Sequence, residues 1–150
     1  MIFIAIIFLI IFLTDSTSCS HFRFGTISWK PVDFNITDMT VQFTARWGWK
    51  RSYNAATYCD DNTISAGTLI GINSNIICKT GCYTVNEKID TTTFICTQFS
   101  IADDWTMGEK IFKYSLPISS IIEASFTGGD WVPLNSGGKF SVMCKLMLIK

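Results

Sequence analysis

Between Met39 and Trp49 apolar and polar residues alternate without a break. Met39, Val41, Phe43, Ala45, Trp47 and Trp49 fall on one side of an extended chain, and Thr40, Gln42, Thr44, Arg46 and Gly48 fall on the other. Successive side chains of a strand point to opposite faces, so the stretch predicts one long strand with a packed face and a wet face. At helical spacing the same residues would smear around the axis. A wet face belongs to an antiparallel sheet rather than to a parallel sheet covered on both sides.

The other periodic stretches are also strand-like. His21 to Trp29 is rich in aromatic and β-branched residues, with Gly25 marking a bulge or a close backbone approach, and Lys30-Pro31 is expected to end it. Asp60-Asp61-Asn62 is a turn signal, and short strands are expected over 63–72, 75–78 and 92–99. Lys110 to Leu116 alternates again, Ile121 to Phe126 follows, and Phe140 to Ile149 closes the chain with Phe140, Val142, Cys144, Leu146 and Leu148 on one face. Gly128-Gly129-Asp130 and Ser136-Gly137-Gly138 read as turns. Ser100 with Asp103 three residues on has the form of a helix capping pair, which predicts one short helical turn near 100–107 before Gly108. The fold expected is therefore all-β, an antiparallel β-sandwich of Greek-key type with about 7–9 strands.

Ile2 to Leu13 is unbroken hydrocarbon, and Ser16 and Ser18 supply small residues before Cys19. The run is well short of the about 20 residues that a spanning helix needs. It predicts a secretory signal peptide over 1–18, although no basic segment precedes it. Residues 19–150 are then a single β-rich extracellular domain. It ends inside an apolar strand, as a domain truncated at its C-terminus would. No second run is long and uncharged enough to span a bilayer. Twelve basic residues balance twelve acidic ones. A neutral chain has no general attraction for nucleic acid or an acidic membrane.

All six cysteines, Cys19, Cys59, Cys78, Cys82, Cys96 and Cys144, lie beyond the apolar run. An even number in an exported chain predicts disulfides, with the pairing left open by sequence. Cys78 and Cys82 bracket Lys79-Thr80-Gly81 and either bridge a tight loop or pair elsewhere. Their spacing and the lone His21 do not fit a zinc site. His21 reads as a surface or edge histidine, and no hydrolase, metalloprotease or phosphate-binding motif is present. Asp60, Asp61, Asp103 and Asp104 are weak calcium candidates, because turn formation and capping also explain them. Arg46, Lys50 and Arg51 beside Trp47 and Trp49 form a candidate ligand surface, with the indoles expected in the core. Asn35-Ile36-Thr37 is the one glycosylation sequon in the chain and is expected on an exposed loop.

The stretches His21 to Trp29, Arg51-Ser52, Cys59-Asp60-Asp61, Ala66-Gly67, Cys78 and Gly81-Cys82 form a recurrent pattern with later ones. The later ones are Cys96 to Ser100, Asp104 to Glu109 and Ala124-Ser125-Phe126. Together they resemble the N-terminal module of large cysteine-rich invertebrate extracellular multidomain proteins. The resemblance implies an extracellular, non-catalytic, β-rich module with no settled activity. The expected function is recognition or adhesion toward an unknown extracellular protein or glycan, without a cofactor. A structural matrix or coat component is the alternative from a different class, and a secreted hydrolase is the third.

Overall fold

A computed structural model describes residues 21–118, 121–128 and 140–147. The apolar run, Cys19 and the glycine turns beyond Gly128 lie outside the described residues. Within them the chain forms nine strands. These are β1 (Phe22–Phe34), β2 (Asp38–Lys50), β3 (Leu69–Ile70), β4 (Asn75–Thr80), β5 (Lys88–Thr91), β6 (Phe94–Ser100), β7 (Trp105–Pro117), β8 (Ile121–Gly128) and β9 (Phe140–Met147). They make two antiparallel sheets, one of five strands in the order β1-β2-β7-β6-β3 and one of four in the order β5-β4-β8-β9. The chain passes back and forth between the sheets in hairpins, so that β7 lies beside β2. No helix of the described residues is long and apolar enough to cross a membrane.

The core lies between the sheets. The six apolar residues of β2, from Met39 to Trp49, are all buried, as their alternation predicts. They meet Ile76, Cys78, Ile122, Ala124, Phe126 and Leu146 from the four-stranded sheet. Trp47 meets Phe126 edge-on at 5.4 Å, and Phe22 stacks on Phe140 at 4.0 Å. Fully burying each large side chain of this kind contributes about 1.5–3 kcal/mol, so the β2 row is the main source of cohesion between the sheets. Gly25 is required by close approach, because a Cβ there would sit 2.5 Å from the Trp47 ring. Among the described residues an ion pair links the sheets: Lys110 of β7 reaches Asp90 of β5 at 2.6 Å, with both side chains mostly buried.

Two disulfides form among the described residues, Cys59–Cys96 and Cys78–Cys82. The first closes a separation of 37 residues, a constraint on the unfolded chain of roughly 3–4 kcal/mol. It pins the segment after β2 to the inner side of β6. Cys144 is buried and has no disulfide partner among the described residues, Cys19 lying outside them; burial pushes its thiol pKa up to about 11.

The local departures have identifiable causes. β1 runs on through Pro31 because it is an edge strand, where a missing N–H breaks no ladder, and a register shift follows between Pro31 and Asp33. The Ser100–Asp103 pair forms, with the Ser100 hydroxyl donating to the Asp103 carboxylate at 2.9 Å and the Asp103 N–H donating back at 3.1 Å. It closes a tight turn over 101–104 instead of starting a helix, because Asp104 turns to φ 52° and Trp105 enters β7. Helical structure appears instead at the 3-10 turn Ala55–Thr57 and the short helix α1 (Asp61–Ser65). Asp60 caps α1 by accepting from the Thr63 N–H and hydroxyl, each at 2.8 Å. That capping converts the start of a stretch expected as strand into a helical turn.

Candidate functional site

The outer face of the five-stranded sheet carries the feature that ordinary strand packing leaves unexplained. Strand register places Phe24, Gly48, Met107 and Gln98 in one row across β1, β2, β7 and β6. The next row is Thr26, Arg46, Glu109 and Ile95. Alternation turns these positions outward, since Trp47 and Trp49 face the core. Gly48 leaves a gap in the first row, and the Phe24 ring lies down into it. A Cβ at Gly48 would come within 2.2 Å of that ring.

The result is a groove of about 610 Å³ walled by Phe24, Met107, Arg46, Glu109, Thr97 and Gln98. A second depression of about 320 Å³ adjoins it and shares Phe24 and Met107, with Trp105, Arg23 and Asp103 at its margin. An apolar floor of ring and thioether is thus bordered by hydroxyls, an amide and charges. Arg46 Nε donates to Glu109 at 3.0 Å, so the two charges in the larger groove compensate one another. Both side chains are exposed, and a pair of this kind adds less than about 1 kcal/mol to stability.

The three cations expected to form one ligand surface do not act together. Arg46 lines the groove. Lys50 stands 3.9 Å from Asp104 at the end of β2. Arg51 is held in the fold: its Nε donates to the Cys59 carbonyl at 2.6 Å, and its guanidinium lies 4.1 Å over the Tyr58 ring. His21 stacks on Tyr53 at 3.5 Å, and its carbonyl accepts from the Lys50 N–H.

Three of the four acidic candidates for calcium already have partners. Asp60 caps α1, and the Thr63 N–H lowers its pKa. Asp104 accepts from the Ser52 hydroxyl at 2.6 Å and N–H at 2.8 Å, and these bonds lower its pKa with help from Lys50. Asp103 belongs to its turn, while Asp61 lies in the first turn of α1. Cys78, Cys82 and Glu87 also converge, but the disulfide takes both sulfurs out of ligation.

At the far end of the hairpin, the Asn35 Oδ1 accepts from the N–H groups of Thr37 and Asp38 at 2.9 and 2.6 Å. Tyr83, from the Cys78–Cys82 loop, donates its hydroxyl to Asp38 and links the two sheets there. That bond lowers the Asp38 pKa and pushes Tyr83 up to about 12. Sequence reasoning passed over Phe24, Gly48, Trp105 and Met107 as site residues. A lone glycine on the wet side of an otherwise regular strand was the one signal present.

Two packed sheets, two disulfides and a compensated groove on an outer face define a disulfide-bonded β-sandwich module. The chain belongs to the family described as integrin beta-like protein A-E, N-terminal, whose model matches residues 23–144. It is similar to the integrin beta-like protein C of Dictyostelium discoideum, with 33% identity over 94 residues. That match covers 61% of this chain and 4% of the relative's length. The family replaces the invertebrate multidomain proteins to which the stretches from His21 to Phe126 bear a resemblance. No catalytic family is indicated, and no solved structure matches. The relative and the disulfides fit an extracellular protein.

Proposed function

We propose that this chain is a non-catalytic extracellular recognition module that holds a neutral glycan in the groove of its five-stranded sheet. The observation that carries the reading is the row Phe24, Gly48, Met107 and Gln98, which opens an apolar floor beside Thr26, Arg46 and Glu109. A sugar ring has one apolar face and a rim of hydroxyls. Phe24 and Met107 fit the face, and Thr26, Thr97 and Gln98 fit the rim. The Arg46–Glu109 pair is already neutral, so the groove makes no demand for a charged ligand. β2 and β7, which run through the middle of the groove, are paired on both sides, so strand addition is confined to its edges, along β1 and the part of β6 beyond Ile95.

The test is a glycan array probed with the secreted chain. Saturable binding to a subset of neutral glycans is expected. Phe24→Ala and Gly48→Leu should each abolish it while the melting transition stays cooperative. A flat array, or binding that survives both substitutions, overturns the assignment. Concentration-dependent assembly of the chain alone, without glycan binding, would favour a matrix or coat component.

A further inference from the structure

The tip of the β1–β2 hairpin is the least explained part of the surface. Phe34 is 55% exposed, Ile36 98% and Ile118 45%. They surround one short turn: Asn35 lies between the first two, and the Ile118 N–H donates to the Thr37 carbonyl at 3.0 Å. The turn is nonetheless fixed. Asn35 Oδ1 takes the Thr37 and Asp38 N–H groups, the Asn35 N–H donates to the Asp38 carbonyl, and Asp38 accepts from the Thr37 and Tyr83 hydroxyls. A rigid turn that presents apolar side chains to water loses nothing further in chain entropy when something covers it.

We propose that Asn35 carries an N-linked glycan whose first sugar lies on Phe34 and Ile118 and covers the apolar tip. Three observations converge. Asn35-Ile36-Thr37 has the acceptor pattern. The Asn35 oxygen is engaged inside the turn, and its amide stands beside the Asp38 carboxylate, whose pKa it helps to lower. A glycosylated Nδ2 keeps one N–H, so the amide can still donate to Asp38 while the sugar takes the place of the other hydrogen. The third is the set of exposed apolar side chains carried by the same turn, Phe34, Ile36 and Ile118, which suits the apolar face of a pyranose.

The co-reactant is a lipid-linked oligosaccharide pyrophosphate. Its C1–O bond breaks with the electron pair leaving on the pyrophosphate, Nδ2 bonds to C1, and one Nδ2 proton passes to a base of the transferase. This site is far from the groove row in sequence and register, so its test is independent of the ligand reading.

The full chain is secreted from a eukaryotic cell and divided into three portions. One is untreated, one is trimmed by an endoglycosidase that leaves the first sugar, and one is treated with an amidase that releases the whole glycan. The amidase leaves Asp at position 35, whose carboxylate preserves the acceptor of the turn. Each portion is weighed by mass spectrometry and titrated with an apolar fluorescent dye. The expected result is a single glycan, low dye fluorescence in the first two portions, and a several-fold rise only in the third. Asn35→Gln should secrete at the lower mass and bind dye like the third portion, and Phe34→Ser should remove the rise. An unchanged mass after amidase overturns the attachment. Equal dye binding in the trimmed and fully released portions overturns the cover.

Discussion

The two faces of β2 follow the same alternation and do opposite work. Inward, every position from Met39 to Trp49 is apolar and fully enclosed. Outward, the row is polar until Gly48, where the absence of a side chain matters more than any side chain present. The inner face is specified by residue type alone, since any strand with that alternation buries it. The outer groove is specified by register, since its floor is assembled from four strands that meet at one level.

The largest separation of the two faces is expected from paired aspartates. Trp47→Asp puts a carboxylate among Phe22, Phe126 and Trp49 with no partner, at a cost of several kcal/mol or more, and should abolish secretion. Arg46→Asp, one residue away, should fold. It replaces an exposed pair with two facing carboxylates and should lower stability by no more than about 1 kcal/mol in thermal melts. Equal damage from both would mean that the register of β2 against β7 is wrong.

Much of this contrast was legible beforehand and some was not. The inward residues of β2 and β9 could be read directly, because alternation is a property of one segment. The Phe24 to Gln98 row could not, because the pairing of Gly48 with Phe24 and Met107 depends on bulges near Phe22 and Cys96. Arg46 was legible as a surface cation. Lys50 and Arg51 were not separable from it until the chain turned at the end of β2. Strand β5 escaped notice because Lys88 to Thr91 is short and carries two charges, one of which, Asp90, is used inside the sandwich.

That charge is the exception that sharpens the comparison. Lys110 points inward from β7, opposite Ala45, and is tolerated because Asp90 meets it. Lys110→Ala should leave Asp90 without its partner and lower stability by about 2–4 kcal/mol in denaturant titration. Lys110→Met with Asp90→Asn should recover much of that loss. Additive losses in the double variant would show that the pair has no special coupling.

Cys144 belongs to the inner face as well. Its thiol, raised to about 11, should resist alkylation at neutral pH in the folded chain and react once the chain is denatured.

The smallest effect is expected at the outer tip, in the Tyr83–Asp38 bond. Asp38 titrates below its ordinary value, so the contribution of this bond is present above that value and is lost as pH falls through the lowered one. Tyr83 titrates above 10.0, so its contribution is complete below that value and is lost as pH rises through about 12. Ultraviolet titration of tyrosinate should show two late-ionising tyrosines, Tyr83 and Tyr114, of which Tyr83 returns toward the ordinary range in Asp38→Asn. No change on that substitution would remove the link between the Cys78–Cys82 loop and the hairpin.

The claim that the groove is the ligand site is tested most directly by tryptophan fluorescence during titration with the strongest glycan from the array. Trp105, half-buried, lines the smaller depression that adjoins the groove and shares Phe24 and Met107 with it, whereas Trp47 and Trp49 are enclosed in the core. A saturable change in emission that disappears in Trp105→Phe, with the melting transition unaltered, is the predicted result. A change that persists undiminished in Trp105→Phe, or saturable binding with no change in the unaltered chain, would place the ligand elsewhere on the molecule.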